Sequence, residues 1–136
     1  MTPEAADYLN KARDDLNDAR KIAAIGLAKV AARVAYYAAF HAAEAFIVER
    51  TGKIAKTHSG VRSEFARLAR ETPEIDKAFS VFLAKAYKYK EIGDYGVGHG
   101  AVVTMAEADD AVKNAARFID RITTLLAERR PPQDTQ

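Results

Sequence analysis

A chain of 136 residues, 49% hydrophobic and 29% charged, fits one domain that buries roughly two-thirds of its unfolded surface and needs no metal or disulfide to fold. The absence of cysteine excludes disulfides, thiolate nucleophiles and cysteine–zinc sites, and it suits the cytoplasm. A net charge of +2 does not mark the whole chain as a nucleic-acid binder, and the most apolar run, Val34 to Phe40, is too short to span a bilayer.

In chain order, the pattern predicts an all-α fold, an antiparallel bundle of four to five helices over residues 1–128, followed by a disordered tail over residues 129–136. Thr2-Pro3-Glu4 opens a helix rather than a secretion signal, with Thr2 as cap and Pro3 at the first helical position. Leu9, Ala12, Leu16, Ala19 and Ala23 recur at spacings of three and four, which makes one apolar stripe. Gly26 ends or bends this helix. A second helix over about Leu27 to Arg50 is apolar nearly all round, so it belongs at the centre. Ala35, Ala38, Ala42 and Ala45 give it a small-residue stripe, and Arg33, Tyr37, His41 and Glu44 a polar one. A polar stripe on a buried helix must meet water, a partner chain or other polar groups.

A third helix over about Ser59 to Glu71 has Thr57, His58 or Ser59 as its cap and turns Val61, Phe65 and Leu68 inward. Thr72-Pro73-Glu74 then restarts the chain as a fourth helix, expected to bury Ala78, Phe79, Phe82 and Ala86. A fifth begins at Thr104, with Glu107 three residues on completing a capping box. Its apolar face runs through Ala108, Ala111, Val112, Ala115, Phe118, Ile119, Ile122 and Leu126. Short connections between long amphipathic helices favour antiparallel neighbours.

Three groups of residues carry candidate chemistry. The first is the junction of the fourth and fifth helices, YKYKEIGDYGVGHG from Tyr87 to Gly100, which holds Gly93, Gly96, Gly98 and Gly100 among the chain's seven glycines. Lys90, Asp94, Tyr95 and His99 sit there. On the residues alone, Lys90 and Asp94 are spaced as a surface ion pair, Tyr95 as a helix-end core residue and His99 as an exposed loop residue. The second is the basic run from Arg50 to Arg70, where Arg50, Lys53, Lys56, Arg62, Arg67 and Arg70 face a single acid, Glu64. A patch of this kind attracts phosphate; the plainer reading is a solvated face. Lys53, Lys56, His58 and Arg62 are its candidate phosphate ligands, His58 standing where a helix N-terminus can also cap or hold an anion. The third is the polar stripe. His41 and Glu44 share one face but lack the matching carboxylates that metal-binding bundles supply from other helices, so a hydrogen-bonded histidine is expected and no metal or other cofactor. No Walker loop, nucleophile elbow or HExxH is present, and GVGHG lacks the strand and spacing of a dinucleotide loop.

The stretch ARVAYYAAFHAAEAFIVERTGKIAKTHSGVRSEF resembles the HEPN family (higher eukaryotes and prokaryotes nucleotide-binding domain), in particular its small stand-alone prokaryotic members. Their pattern runs A-x-Y-Y-A-x-F-x-A in the second helix, then a K-T-H-S-like segment, then R-x-x-A-D-Y near the end of the fourth helix. The last reads Lys90-Glu91-Ile92-Gly93-Asp94-Tyr95 here, and Glu107-Ala108 fits the start of the closing helix. The resemblance implies a homodimer. Many members are metal-independent ribonucleases, often one half of a toxin–antitoxin-type pair with a small nucleotidyltransferase. Their motif is an arginine, then four to six residues, then a histidine, facing its counterpart across the dimer. In such an enzyme a cation stabilises charge on the phosphoryl oxygens, and a histidine moves protons at the 2′-hydroxyl and the leaving oxygen.

This chain departs from that motif. Lys90 stands in the arginine position, Tyr95 where a histidine belongs, and His99 nine residues beyond Lys90. Lysine keeps the charge but loses the two-pronged phosphate contact, and tyrosine, with a reference pKa of about 10, is a poor base near neutrality. The first expectation is therefore an RNA- or nucleotide-binding module with a degenerate catalytic motif. An active ribonuclease using Lys90 and His99 is the second, and a purely structural interaction bundle the third.

Overall fold

The computed structural model describes residues 1–95 and 102–128, and among them it holds five helices and no strand. They are α1 (Pro3–Ala24), α2 (Ala28–Thr51), α3 (His58–Arg70), α4 (Lys77–Tyr95) and α5 (Met105–Glu128). His99, Gly96, Gly98, Gly100 and the tail over 129–136 lie outside the described residues. No described helix is long and apolar enough to cross a membrane.

α1 starts where expected. Thr2 Oγ1 accepts a hydrogen bond from the Ala5 amide at 3.1 Å, with Pro3 at the first helical position. Its buried line is Ala5, Leu9, Ala12, Leu16 and Ala19, with Ala23 only half-buried. The chain reverses through Ile25, Gly26 and Leu27, with Gly26 at φ +83°, a conformation that disfavours any Cβ. α2 thus returns antiparallel to α1. Ala31, Ala35, Ala38, Ala42 and Ala45 of α2, like Ala5, Ala12 and Ala19 of α1, have no exposed surface at all. Small side chains on both faces let the two helices approach closely.

α2 is central and touches each of the other four helices. It ends at Gly52, whose φ of +73° forms a left-handed cap and whose amide donates to Val48 O at 2.8 Å. Thr57 caps α3 by accepting from the Gly60 amide at 2.9 Å, which makes His58 its first residue. Val61, Phe65 and Leu68 face inward as expected. α5 opens with the reciprocal capping box: the Glu107 amide donates to Thr104 Oγ1, and the Thr104 amide donates to Glu107 Oε1, both at 3.0 Å.

The start of α4 differs from the sequence expectation. Thr72-Pro73-Glu74 does not open the helix. Thr72 is buried, its hydroxyl donates to Leu68 O at 2.9 Å, and it accepts from Arg50 Nη1 at 3.3 Å. It therefore closes α3. α4 begins four residues further on, where Asp76 Oδ1 accepts from the Ala78 amide at 2.7 Å. The inward face rotates accordingly. Leu83, Ala86 and Tyr89 are buried, Phe79 and Phe82 are half-buried, and Ala78 is exposed.

Candidate functional site

The α2–α3–α4 packing gathers residues from all three sequence groups on one side of the bundle. Thr57 places His58 at the head of α3, against the middle of α2. The His58 ring stacks on Phe40 with centroids 4.3 Å apart, and Tyr36, Tyr37 and Tyr87 surround it at 5.6 to 5.8 Å. Its Nδ1 lies 2.8 Å from the Tyr36 hydroxyl. One turn along α3, the Arg62 guanidinium sits over the Tyr87 ring at 4.2 Å, a cation–π contact.

From α4, Lys90 Nζ lies 2.9 Å from Asp94 Oδ2 and 5.7 Å from the Tyr87 ring centre. Asp94 Oδ1 in turn lies 3.7 Å from Arg33 Nη1 of α2. Arg33 reaches it across Gly93. A Cβ on Gly93 would fall on the Arg33 side chain, 2.7 Å from Nε and nearer still to Cδ. Glycine is needed here for this close crossing rather than for an unusual backbone shape.

Lys90 and Arg62 thus stand beside one histidine, Arg33 joins the cluster through Asp94, and that one carboxylate neutralises only part of the charge of three cations from three helices. Burial first, then Lys90 and Arg62, push the His58 pKa below its ordinary 6.5, so the ring is neutral near pH 7. Burial drives the Tyr36 pKa strongly upward despite the neighbouring Arg62, so it remains a phenol. The Asp94 carboxylate holds Lys90 above the usual lysine range. Among the described residues, Arg33 Nε and Arg62 Nη1 are buried without a hydrogen-bond partner. A buried donor without an acceptor is costly.

The His58 shift has a defined consequence for stability. The folded state favours the neutral ring, whereas the unfolded chain takes up a proton as pH falls through about 6.5. The stabilisation is complete above that pH and is lost below it. We expect the melting temperature to fall on acidification from about pH 7.5 to pH 5.5. His58→Asn, which keeps an acceptor for Tyr36 but does not titrate, flattens that fall. An identical pH profile for both proteins would refute the assignment.

The sequence candidates separate into two places. Lys90, Asp94, Arg33, Tyr37, His58 and Arg62 come together. Tyr95, the last residue of α4, is 69% exposed, and Lys53 and Lys56 are exposed in the loop between α2 and α3. His41 and Glu44 lie further along α2 and engage α1: His41 Nδ1 is 2.7 Å from Glu44 Oε1, and its Nε2 is 3.6 Å from Asp15 Oδ2. No group of three or more His, Asp or Glu among the described residues is arranged to hold a metal. Tyr36, Phe40 and Tyr87 fall within the stretches quoted above but were not named as site residues from sequence. Their signal was present, Tyr36 and Phe40 one turn apart within YYAAF and Tyr87 three residues before Lys90, but it is also the signal of ordinary core aromatics.

Other concavities lie elsewhere. A groove of about 580 Å³ runs between α4 and α5 past Val81, Phe82 and Tyr89, and another of about 520 Å³ lies between α3 and α4 past Ala69, Ile75 and Ala84. Both are mainly apolar, with basic side chains among the lining residues and no histidine.

Comparison with known proteins places this geometry in context. The chain matches the HEPN domain family over residues 5–125. It is 29% identical over 128 residues to the UPF0332 protein glr0978 of Gloeobacter violaceus, covering 94% of this chain and all of that one. The crystal structure of TT1696 from Thermus thermophilus aligns with a TM-score of 0.78 at 23% identity, over 90% of this chain and 98% of the other. At that identity the likeness speaks for the fold.

Proposed function

The chain belongs to the HEPN domain family, and on that premise we propose that it is an RNA- or nucleotide-binding module with a degenerate catalytic motif. The supporting observation is the cluster of three cations from three helices beside aromatic rings: Lys90 and Arg62 next to a neutral, ring-enclosed His58, and Arg33 joined to them through Asp94. Cations beside aromatic faces are what a phosphate with a neighbouring base requires. The degenerate motif fits a binding role: Lys90 supplies charge without a planar fork, and the exposed Tyr95 supplies no base near neutrality. Family membership further supports a homodimer and a small nucleotidyltransferase as protein partner in a toxin–antitoxin-type pair. Part of the α2 polar stripe is already engaged within the chain through Arg33–Asp94 and His41–Glu44, so a dimer contact through that stripe would use what remains exposed beside it.

The test is a fluorescence-anisotropy titration with a labelled oligoribonucleotide at low salt, where phosphate contacts are strongest, followed by analysis of the RNA ends. Saturable binding without cleavage at excess protein is expected. No binding at low salt would overturn the reading. RNA-only cleavage with cyclic phosphate ends, abolished by His99→Ala, would replace it with an active ribonuclease using Lys90 and His99.

A further inference from the structure

We infer that Tyr36, backed by Arg62, holds His58 as the tautomer protonated on Nε2, so that His58 presents a neutral N–H donor to an anionic ligand and cannot act as a base. The ligand part of this inference rests on the function proposed above; the tautomer follows from the geometry alone.

Tyr36 has no exposed surface, so its hydroxyl proton has to find a protein acceptor. His58 Nδ1 lies 2.8 Å from its oxygen. The Arg62 guanidinium also acts on this hydroxyl as a donor and a positive charge, both of which favour the phenolate form. A guanidinium is a donor only, so it repels the hydroxyl proton and offers it no lone pair. If His58 instead carried its proton on Nδ1 and donated to the Tyr36 oxygen, that oxygen would face two donors and its own proton would have no acceptor. Leaving a buried hydroxyl proton unpaired is unfavourable. The remaining arrangement has Tyr36 O–H donating to Nδ1, and a neutral imidazole with an acceptor Nδ1 carries its hydrogen on Nε2. Nε2 has no hydrogen-bond partner among the described residues.

The consequence is chemical selectivity. A group facing Nε2 must be an acceptor, and with Lys90 and Arg62 alongside, that acceptor is best anionic: a phosphoryl oxygen rather than a 2′-hydroxyl awaiting deprotonation. Tyr36 is then a positioning residue, acting only through His58.

The tautomer is read directly by two-bond ¹H–¹⁵N correlation spectra of histidine-ring-labelled protein near neutral pH, with the His58 signals identified by their loss in His58→Asn. An unprotonated Nδ1 and a protonated Nε2 are expected in the free wild type. In Tyr36→Phe the pattern shifts toward a mixture, and affinity for an oligouridylate falls about twofold, the inverse of the fraction that still presents the Nε2 donor. Arg62→Gln, which places a carbonyl acceptor beside the phenol, releases the tautomer in the same way and serves if Tyr36→Phe fails to fold. A protonated Nδ1 in the wild type, or a pattern that neither substitution moves, overturns the inference. An Nε2-protonated pattern without oligouridylate binding supports the tautomer and overturns only the identity of the ligand.

Discussion

Phe118→Ala lowers the unfolding free energy by about 3–5 kcal/mol, a large share of the 5–15 kcal/mol of a typical domain. Phe118 has no exposed surface. Its ring centre lies 5.0 Å from Phe65 of α3 and 5.7 Å, edge-on, from Phe79 of α4. Phe65 continues the chain of rings to Phe46 of α2 at 5.7 Å. One side chain of α5 thus meets rings of two other helices and, through Phe65, is linked to a third. Truncation leaves a cavity bounded by rigid rings on separate helices, which collapse into it poorly, so the cost sits in the range seen for buried aromatics. Urea denaturation measures the loss. Lys113→Ala, on the exposed face of the same helix, should change stability by no more than about 0.5 kcal/mol. A loss below about 1 kcal/mol for Phe118→Ala would mean that α5 does not pack on α3 and α4 as described.

The same ring network shows which parts of the molecule are legible in sequence. Spacing alone identifies the buried line of α1 from Leu9 to Ala19 and the inward face of α5, because each is a periodic stripe on one helix. The caps at Thr2 and Thr104 are legible for the same reason, since the acceptor and its amide lie within three residues of each other, and the structure selects Thr57 from the three candidates at the head of α3. Thr72-Pro73-Glu74 carries a similar local signal and misleads, because the Thr72 hydroxyl is engaged by Leu68 O and by Arg50, twenty-two residues away. Long-range partners of this kind leave no trace in local spacing.

The candidate site divides along the same line. The Lys90–Asp94 pair lies within one helix and was readable. That Arg33 joins it depends on α2 crossing α4 at Gly93, a fact about two helices. That His58 meets Tyr36 and Phe40 depends on the loop over residues 52–57 bringing the head of α3 back to the middle of α2. Neither juxtaposition can be read from periodicity. Tyr36, Phe40 and Tyr87 read as core, and they are largely packed as core; only their arrangement around one histidine makes them part of a site.

The combined variant Arg33→Ala, Arg62→Ala, Lys90→Ala loses most of its RNA affinity at low salt and becomes much less sensitive to salt. On single-stranded RNA each neutralised phosphate contributes about −0.7 to the slope of log affinity against log salt. Three such contacts correspond to about a 20-fold loss of wild-type affinity between 50 and 200 mM salt, and the variant lacks that component of the slope. The side chains are suited to this measurement because none belongs to the ring network under α5, and Asp94 remains at a partly exposed helix end where water can solvate it. Lys53→Ala combined with Lys56→Ala serves as the comparison: two exposed loop lysines outside the cluster lower affinity modestly and leave most of the slope intact. If the loop pair removes more of the slope than the three clustered cations do, phosphate binds along the loop between α2 and α3, and the cluster of Arg33, Arg62 and Lys90 serves packing rather than recognition.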